Sequence, residues 1–247
     1  MIQIQPEYKK GEEYLAFALS EGFSFEVLEL SVFPVRSPEA FKWYKKTGLV
    51  SSIHGAFIDM NPVSNDIAIA EASRKRYEES CKTAIALGAK NVVFHSTCFP
   101  FLRGVYLEKW ADKSAEYHIG LAEKYGLGIY IENSFDVDPT PLLELMKSAD
   151  DKRVRVCLDI GHANFSRVPV EKWFDELGEY TGYVHLSDNV GKFDEHIPLG
   201  TGNIDLAKVS KLCKGLGKDI PMTLEVGSLD CIKKSVEFMK ENHLFGM

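Results

Sequence analysis

No stretch of this 247-residue chain approaches the roughly 18 consecutive apolar residues that a membrane-spanning helix needs, so no membrane partner is expected. The opening residues MIQIQPEYKK carry no apolar leader, and the chain is expected to work in the cytoplasm. Basic residues are outnumbered, 29 Lys and Arg against 36 Asp and Glu for a net charge of −7, and the longest basic run is Arg74-Lys75-Arg76. That balance argues against indiscriminate binding to phosphate backbones, though not against a local basic patch. The five cysteines (81, 98, 157, 213 and 231) are odd in number and show no C-x-x-C spacing, which excludes a disulfide framework and fits thiols kept reduced. No linker, low-complexity tract or internal repeat divides the chain, so one domain over residues 1–247 is expected.

What is present is a regular alternation. Short β-branched runs occur at 2–5, 25–32, 51–56, 91–96, 128–133, 155–160, 183–188 and 221–226, eight candidate strands in all. Between them lie helical patterns with recognisable ends. Ser37-Pro38 opens one that stops at Gly48, residues 65–87 run into Gly88, 107–125 run into Gly126, and Ser228 caps the last. Strands alternating with helices build βαβ units and a parallel sheet, and eight of them in this length fit a closed barrel: an α/β fold, one (β/α)8 TIM barrel.

Six of the eight strands finish on a side chain able to ligate a metal: His54 (SSIHGA), His95 (NVVFHS), Glu132 (GIYIEN), Asp159 with His162 just beyond (VCLDIGH), His185 (YVHLSD) and Glu225 (MTLEV). A barrel gathers its C-terminal strand ends at one mouth, so these residues are expected to be neighbours. Asp194 and His196, in the loop of VHLSDNVGKFDEHIPLGTGNID, are expected above that mouth. Crowded carboxylates repel unless protonated or bridged by a cation, and imidazoles mixed with carboxylates point to a divalent transition metal such as Zn²⁺, Mn²⁺ or Co²⁺.

These residues carry a resemblance to the xylose isomerase-like TIM-barrel superfamily, which includes sugar and sugar-phosphate isomerases and epimerases, inositol-catabolism enzymes and the endonuclease IV type of AP endonuclease. Its most specific pieces here are CLDIGH, HLSDN followed by D-x-H-x-P-L-G-x-G, and IEN, and it runs from the third strand to the last. For the epimerase branch the resemblance implies one metal held by Glu132, Asp159, His185 and Glu225. For the endonuclease branch it implies three zincs held by those four with His54, His95, His162, Asp194 and His196. Two departures from the endonuclease pattern favour the first branch: SFDVDPTP follows IEN where a glycine-rich loop is expected, and CLD continues I-G-H rather than T-C-H.

The resemblance therefore implies an isomerase or epimerase of a sugar, sugar phosphate or polyol ketone, working by proton abstraction next to a carbonyl with one to three divalent ions. Glu132 and Glu225 are the expected base and acid, and His162 a nearby polariser. Phe57 and Glu29 are candidates for substrate binding, Glu29 being read as the end of the second strand in VLEL. The partner is then a small carbohydrate. DNA is the partner only in the alternative, a zinc phosphodiesterase acting at abasic sites, where the one arginine after the second strand (Arg36) would be available. A metal-binding barrel without turnover is a third class, and the sequence leaves a homo-oligomer open. His118, mid-helix, is expected to be a surface histidine or one with its hydrogen bonds met.

Overall fold

The computed structural model describes residues 1–32, 37–217 and 219–247; Arg36 lies outside the described residues. Eight parallel strands close into a barrel in sequence order: β1 (Ile2–Ile4), β2 (Ser24–Val27), β3 (Val50–His54), β4 (Asn91–His95), β5 (Gly128–Glu132), β6 (Val154–Asp159), β7 (Thr181–Leu186) and β8 (Met222–Leu224). The outer ring is made by α1 (Gly11–Glu21), α2 (Glu29–Val32), α3 (Pro38–Thr47), α4 (Ile67–Leu87), α5 (Val105–Tyr125), α6 (Thr140–Ala149), α7 (Ile160–Asn164), α8 (Val170–Leu177), α9 (Leu206–Gly215) and α10 (Leu229–Glu241). The expected (β/α)8 barrel is observed. Among the described residues no helix is long and apolar enough to cross a membrane.

Local chemistry explains the boundaries. Ser37, Asp66, Asp205 and Ser228 each accept a backbone N–H at a helix start, and Gly48, Gly88 and Gly126 end their helices in the left-handed region. Two strand expectations need correction. The run 25–32 is not one strand: β2 ends at Val27 and Glu29 opens α2, so apolar content alone misled the assignment. Ile160 likewise leaves β6 to start α7, because the Asp159 carboxylate accepts the His162 N–H at 2.6 Å and caps that short helix.

Period-2 alternation sorts each strand into two faces. Ile53, Phe94, Ile131, Leu158 and Leu186 join the large core between sheet and helices. Val93, Cys157 and Tyr183, with Tyr130 against them, form a separate small cluster. Two residues further along the same strands stand His95, Asp159, His185 and Glu132. Apolar and tyrosyl side chains thus floor the mouth, and the polar strand ends sit above them.

His118 is not at the surface. It lies on the buried stripe of α5 with Ala111, Ala115 and Ala122; Nδ1 donates to the Ser114 carbonyl at 2.7 Å, while Nε2 has no partner. Burial pulls its pKa down to about 4, from 6.5. A base depressed in the folded state binds more protons when unfolded, so its contribution is present above pH 6.5 and is lost as pH falls towards 4. Unfolding free energy from urea melts is expected to drop by about 3 kcal/mol more over that window in the wild type than in a His118→Leu variant. Parallel pH profiles for the two proteins are the contrary result.

Candidate metal centre at the barrel mouth

The strand ends converge at the C-terminal mouth, at the base of a cavity of about 450 Å³ lined by Gln5, Glu29, His54, Phe57, His95, His162, Asp194, His196 and Glu225 among others. A larger groove of about 810 Å³ lies between the 61–66 loop and α5, beside Tyr106 and Trp110, but the ligand-type side chains gather in the smaller one.

Glu132, fully buried at the end of β5, is the hub. Its Oε2 lies 3.3 Å from His54 Nε2 and 3.5 Å from His95 Nε2; its Oε1 lies 3.2 Å from His162 Nδ1 and 3.4 Å from His185 Nδ1. Among the described residues five groups follow, each with one ligand atom per residue within 4.8 Å of the others, and three of them cover the strand-end and loop residues: Glu132, Asp159, His185 and Glu225; His54, His95 and Glu132; and His162, Asp194 and His196. The other two, His54 with His185 and Glu225, and Glu132 with Cys157 and His185, overlap the first. The nine residues named from the sequence are therefore brought together.

The protons on the imidazoles decide what this arrangement can hold. A carbonyl oxygen only accepts, so Nδ1 carries the proton where it meets one: His54 on Gly55 O (3.1 Å), His162 on Asn133 O (2.7 Å) and His196 on Glu225 O (2.8 Å). In the neutral rings Nε2 then presents a lone pair, and it faces carboxylate oxygens: Glu132 for His54, and Asp194 at 3.2 Å and 2.8 Å for His162 and His196. His185 Nδ1 and Glu225 Oε2 approach to 2.7 Å, yet neither makes a hydrogen bond of acceptable direction. Glu132 Oε1 and Oε2 and Asp159 Oδ2 are also buried without a hydrogen-bond partner.

Lone pairs facing lone pairs in a buried site require protons or a cation. With protons alone, the burial of His185 and His54 opposes charging, but the surrounding carboxylates hold both pKa values up. For His196, burial is likewise overcome by Asp194, taking the pKa to about 10, whereas burial dominates at His95 and lowers it to about 4. Burial, with Glu132 and Glu225 beside it, raises Asp159 to about 6. Several imidazolium rings would then be packed together, His54 and His185 with centroids 5.9 Å apart. A divalent cation satisfies the same lone pairs without that repulsion. The residues fit such an ion.

Of the two substrate candidates, Phe57 lines the cavity with its ring 4.6 Å from that of His95 and 5.0 Å from that of His54. Glu29 also lines it, but one carboxylate oxygen already accepts from Tyr44 Oη at 2.5 Å and from the Tyr8 N–H at 3.0 Å. Cys98 is buried in the loop after β4, outside the three groups.

Above the site, Asp188 shapes the 187–204 loop by accepting the N–H groups of Gly200 and Gly202 at 3.0 Å each. A Cβ at Gly202 would sit 2.2 Å from Asp188 Oδ1, so only glycine permits that turn. His196 itself is held at φ 47°, an uncommon conformation for histidine, which keeps its ring over the centre. Sequence reasoning missed Glu26 and Gln5. Glu26 is wholly buried in β2, and Gln5 Nε2 donates both to Glu26 Oε1 (2.9 Å) and to Glu225 Oε1 (3.1 Å).

Residues 24–242 match the family described as the xylose isomerase-like TIM barrel, and the chain belongs to that family. An uncharacterized protein of Methanocaldococcus jannaschii, MJ1311, is 30% identical over 200 residues, covering 76% of this chain and 68% of its own. Among solved structures, a D-tagatose 3-epimerase-like protein superposes with a TM-score of 0.81 at 25% identity, covering 97% of this chain and 96% of that one. A Thermus thermophilus protein soaked with zinc chloride gives a TM-score of 0.81 at 23% identity, again over 97% and 96% of the two chains.

Proposed function

We propose that this protein is a divalent-metal-dependent isomerase or epimerase of a sugar, sugar phosphate or polyol ketone. The observation that carries the proposal is the convergence of partnerless atoms from Glu132, Asp159, His185 and Glu225 at the base of a cavity sized for a small polar molecule. Those four residues would hold the ion. A bound divalent cation supplies Lewis acidity to a carbonyl and its neighbouring hydroxyl. Glu132 and Glu225, on strands set well apart around the mouth, take and return a proton on opposite faces of the substrate carbon. Removal from one face and return to the other inverts the centre; return to the adjacent carbon isomerises the sugar. His162 polarises the substrate oxygen, and Phe57 walls the cavity. The likeness to a D-tagatose 3-epimerase-like protein supports the carbohydrate class, and the zinc-soaked relative supports zinc among the candidate ions.

The test is solvent-deuterium wash-in at the carbon next to the carbonyl, followed by NMR over a panel of free and phosphorylated ketoses with Zn²⁺, Mn²⁺ or Co²⁺. Exchange that needs both the metal and the protein is the expected result. No exchange across the panel with metal-loaded protein overturns the proposal.

A second reading is a zinc phosphodiesterase acting at abasic DNA. It is favoured by one observation: the His54–His95–Glu132 and His162–Asp194–His196 groups stand beside the four-residue centre, where one ion would not use them.

A further inference from the structure

Glu26 lies outside the three ligand groups, yet it is a carboxylate with no exposure, inside the barrel on β2. Burying a carboxylate is costly unless its oxygens are filled, and these are: Oε1 accepts from Gln5 Nε2 at 2.9 Å, while Oε2 accepts from Tyr183 Oη at 2.6 Å and Thr223 Oγ1 at 3.1 Å. The remaining neighbour of Oε2 is His185 Nε2 at 3.2 Å. With three donors already aimed at its two oxygens, the group stands as an acceptor. It can only accept, and His185 must donate through Nε2. The other ring nitrogen, Nδ1, is thereby left as the lone pair, and it is Nδ1 that faces Glu225 Oε2, Glu132 Oε1 and Asp159 Oδ2 at 2.7, 3.4 and 3.9 Å.

We infer that Glu26 is a positioning residue for the metal centre: it fixes the Nε2–H tautomer and the ring orientation of His185, and through Gln5 it tethers Glu225. The second link runs through one side chain, since the single Gln5 amide donates to both Glu26 Oε1 and Glu225 Oε1. One buried carboxylate on β2 thus orients two prospective ligands on β7 and beyond β8. A hydrogen-bonded carboxylate behind a ligating imidazole raises its basicity and holds its aim, and loss of such a partner typically weakens metal binding on the order of 10- to 100-fold. The inference rests on the proposal that His185 and Glu225 hold a divalent ion, and it adds what makes His185 present the correct nitrogen.

The test uses the whole chain, ¹⁵N-labelled at histidine, with Zn²⁺ as the probe. Long-range ¹H–¹⁵N spectra of the zinc-loaded protein are expected to show His185 protonated at Nε2 and not at Nδ1. In Glu26→Gln, zinc affinity by competitive titration is expected to fall on the order of 10- to 100-fold. Tyr183→Phe is the control, because it removes another hydrogen bond from the same oxygen without touching His185. A purely structural Glu26 makes both variants less stable and leaves zinc affinity alike in the two; the inference expects only Glu26→Gln to lose affinity. A zinc-loaded wild type with His185 protonated at Nδ1 overturns it, and that observation needs no variant to fold. A wild type that binds no zinc sinks the metal-centre proposal instead, so the two failures are distinct.

Discussion

Glu132→Gln is expected to strip the protein of most of its bound divalent metal and to abolish proton exchange. The carboxylate is shared by the four-residue centre and the His54–His95 pair, and both of its oxygens are buried without a hydrogen-bond partner. Glutamine keeps the shape but removes the charge and turns one donor atom into an N–H pair pointing at imidazoles and carboxylates. Because this side chain would touch the ion, the loss in affinity should exceed the roughly 10- to 100-fold typical of residues one layer out. If Glu132 is also the base, turnover falls by a further 10²- to 10⁴-fold, on the order expected for a general base. Asp159→Asn should behave similarly for the metal, with the added cost of a weaker cap on α7, where its carboxylate holds the His162 N–H. Metal content by mass spectrometry of the purified variants, read with a thermal melt to show that they fold, checks this. Unchanged stoichiometry in two folded variants means that the centre lies elsewhere.

The barrel was legible because its strands are short, β-branched and spaced by capped helices, and because the strand ends that build the mouth differ from their apolar neighbours. His95, Glu132, Asp159 and His185 stand out in sequence for the same reason that they stand out in space: alternation brings them to the inner face just where the strand stops. Glu29 shows the limit of that logic. In VLEL the apolar rhythm continues past the strand, but the chain has already turned into α2, and the inward glutamate of this segment is Glu26, three residues earlier. Its importance comes from His185, 159 positions away, and such a contact exists only once the barrel closes. His118 could have been found, since it falls on the 111, 115, 118, 122 stripe of a helix whose other members there are alanines. A histidine on an apolar stripe is a buried histidine, and its type alone hid that.

The pair Asp194 and His196 separates the two enzymatic readings, because one metal held by Glu132, Asp159, His185 and Glu225 does not need them and a third zinc beside His162 does. The double variant Asp194→Asn, His196→Ala is expected to fold. Asp194 is 39% exposed, and alanine at 196 removes a ring without opening the core, although it also loses the donor to the Glu225 carbonyl. As an isomerase or epimerase, the variant should retain its tightest metal and still wash deuterium into a substrate ketose, with weaker substrate binding because two side chains lining the cavity have changed. As a phosphodiesterase, it should lose one equivalent of zinc and nearly all nicking of abasic duplex. An ion on the phosphate contributes several kcal/mol to the transition state, so the loss should be on the order of 1000-fold. Metal content, wash-in and nicking are measured on wild type and variant together. Nicking by the wild type that vanishes in the variant overturns the isomerase proposal; wash-in that survives the substitution supports it. A wild type that binds metal yet is inactive in both assays is what a barrel without turnover predicts, and it counts against both enzymes.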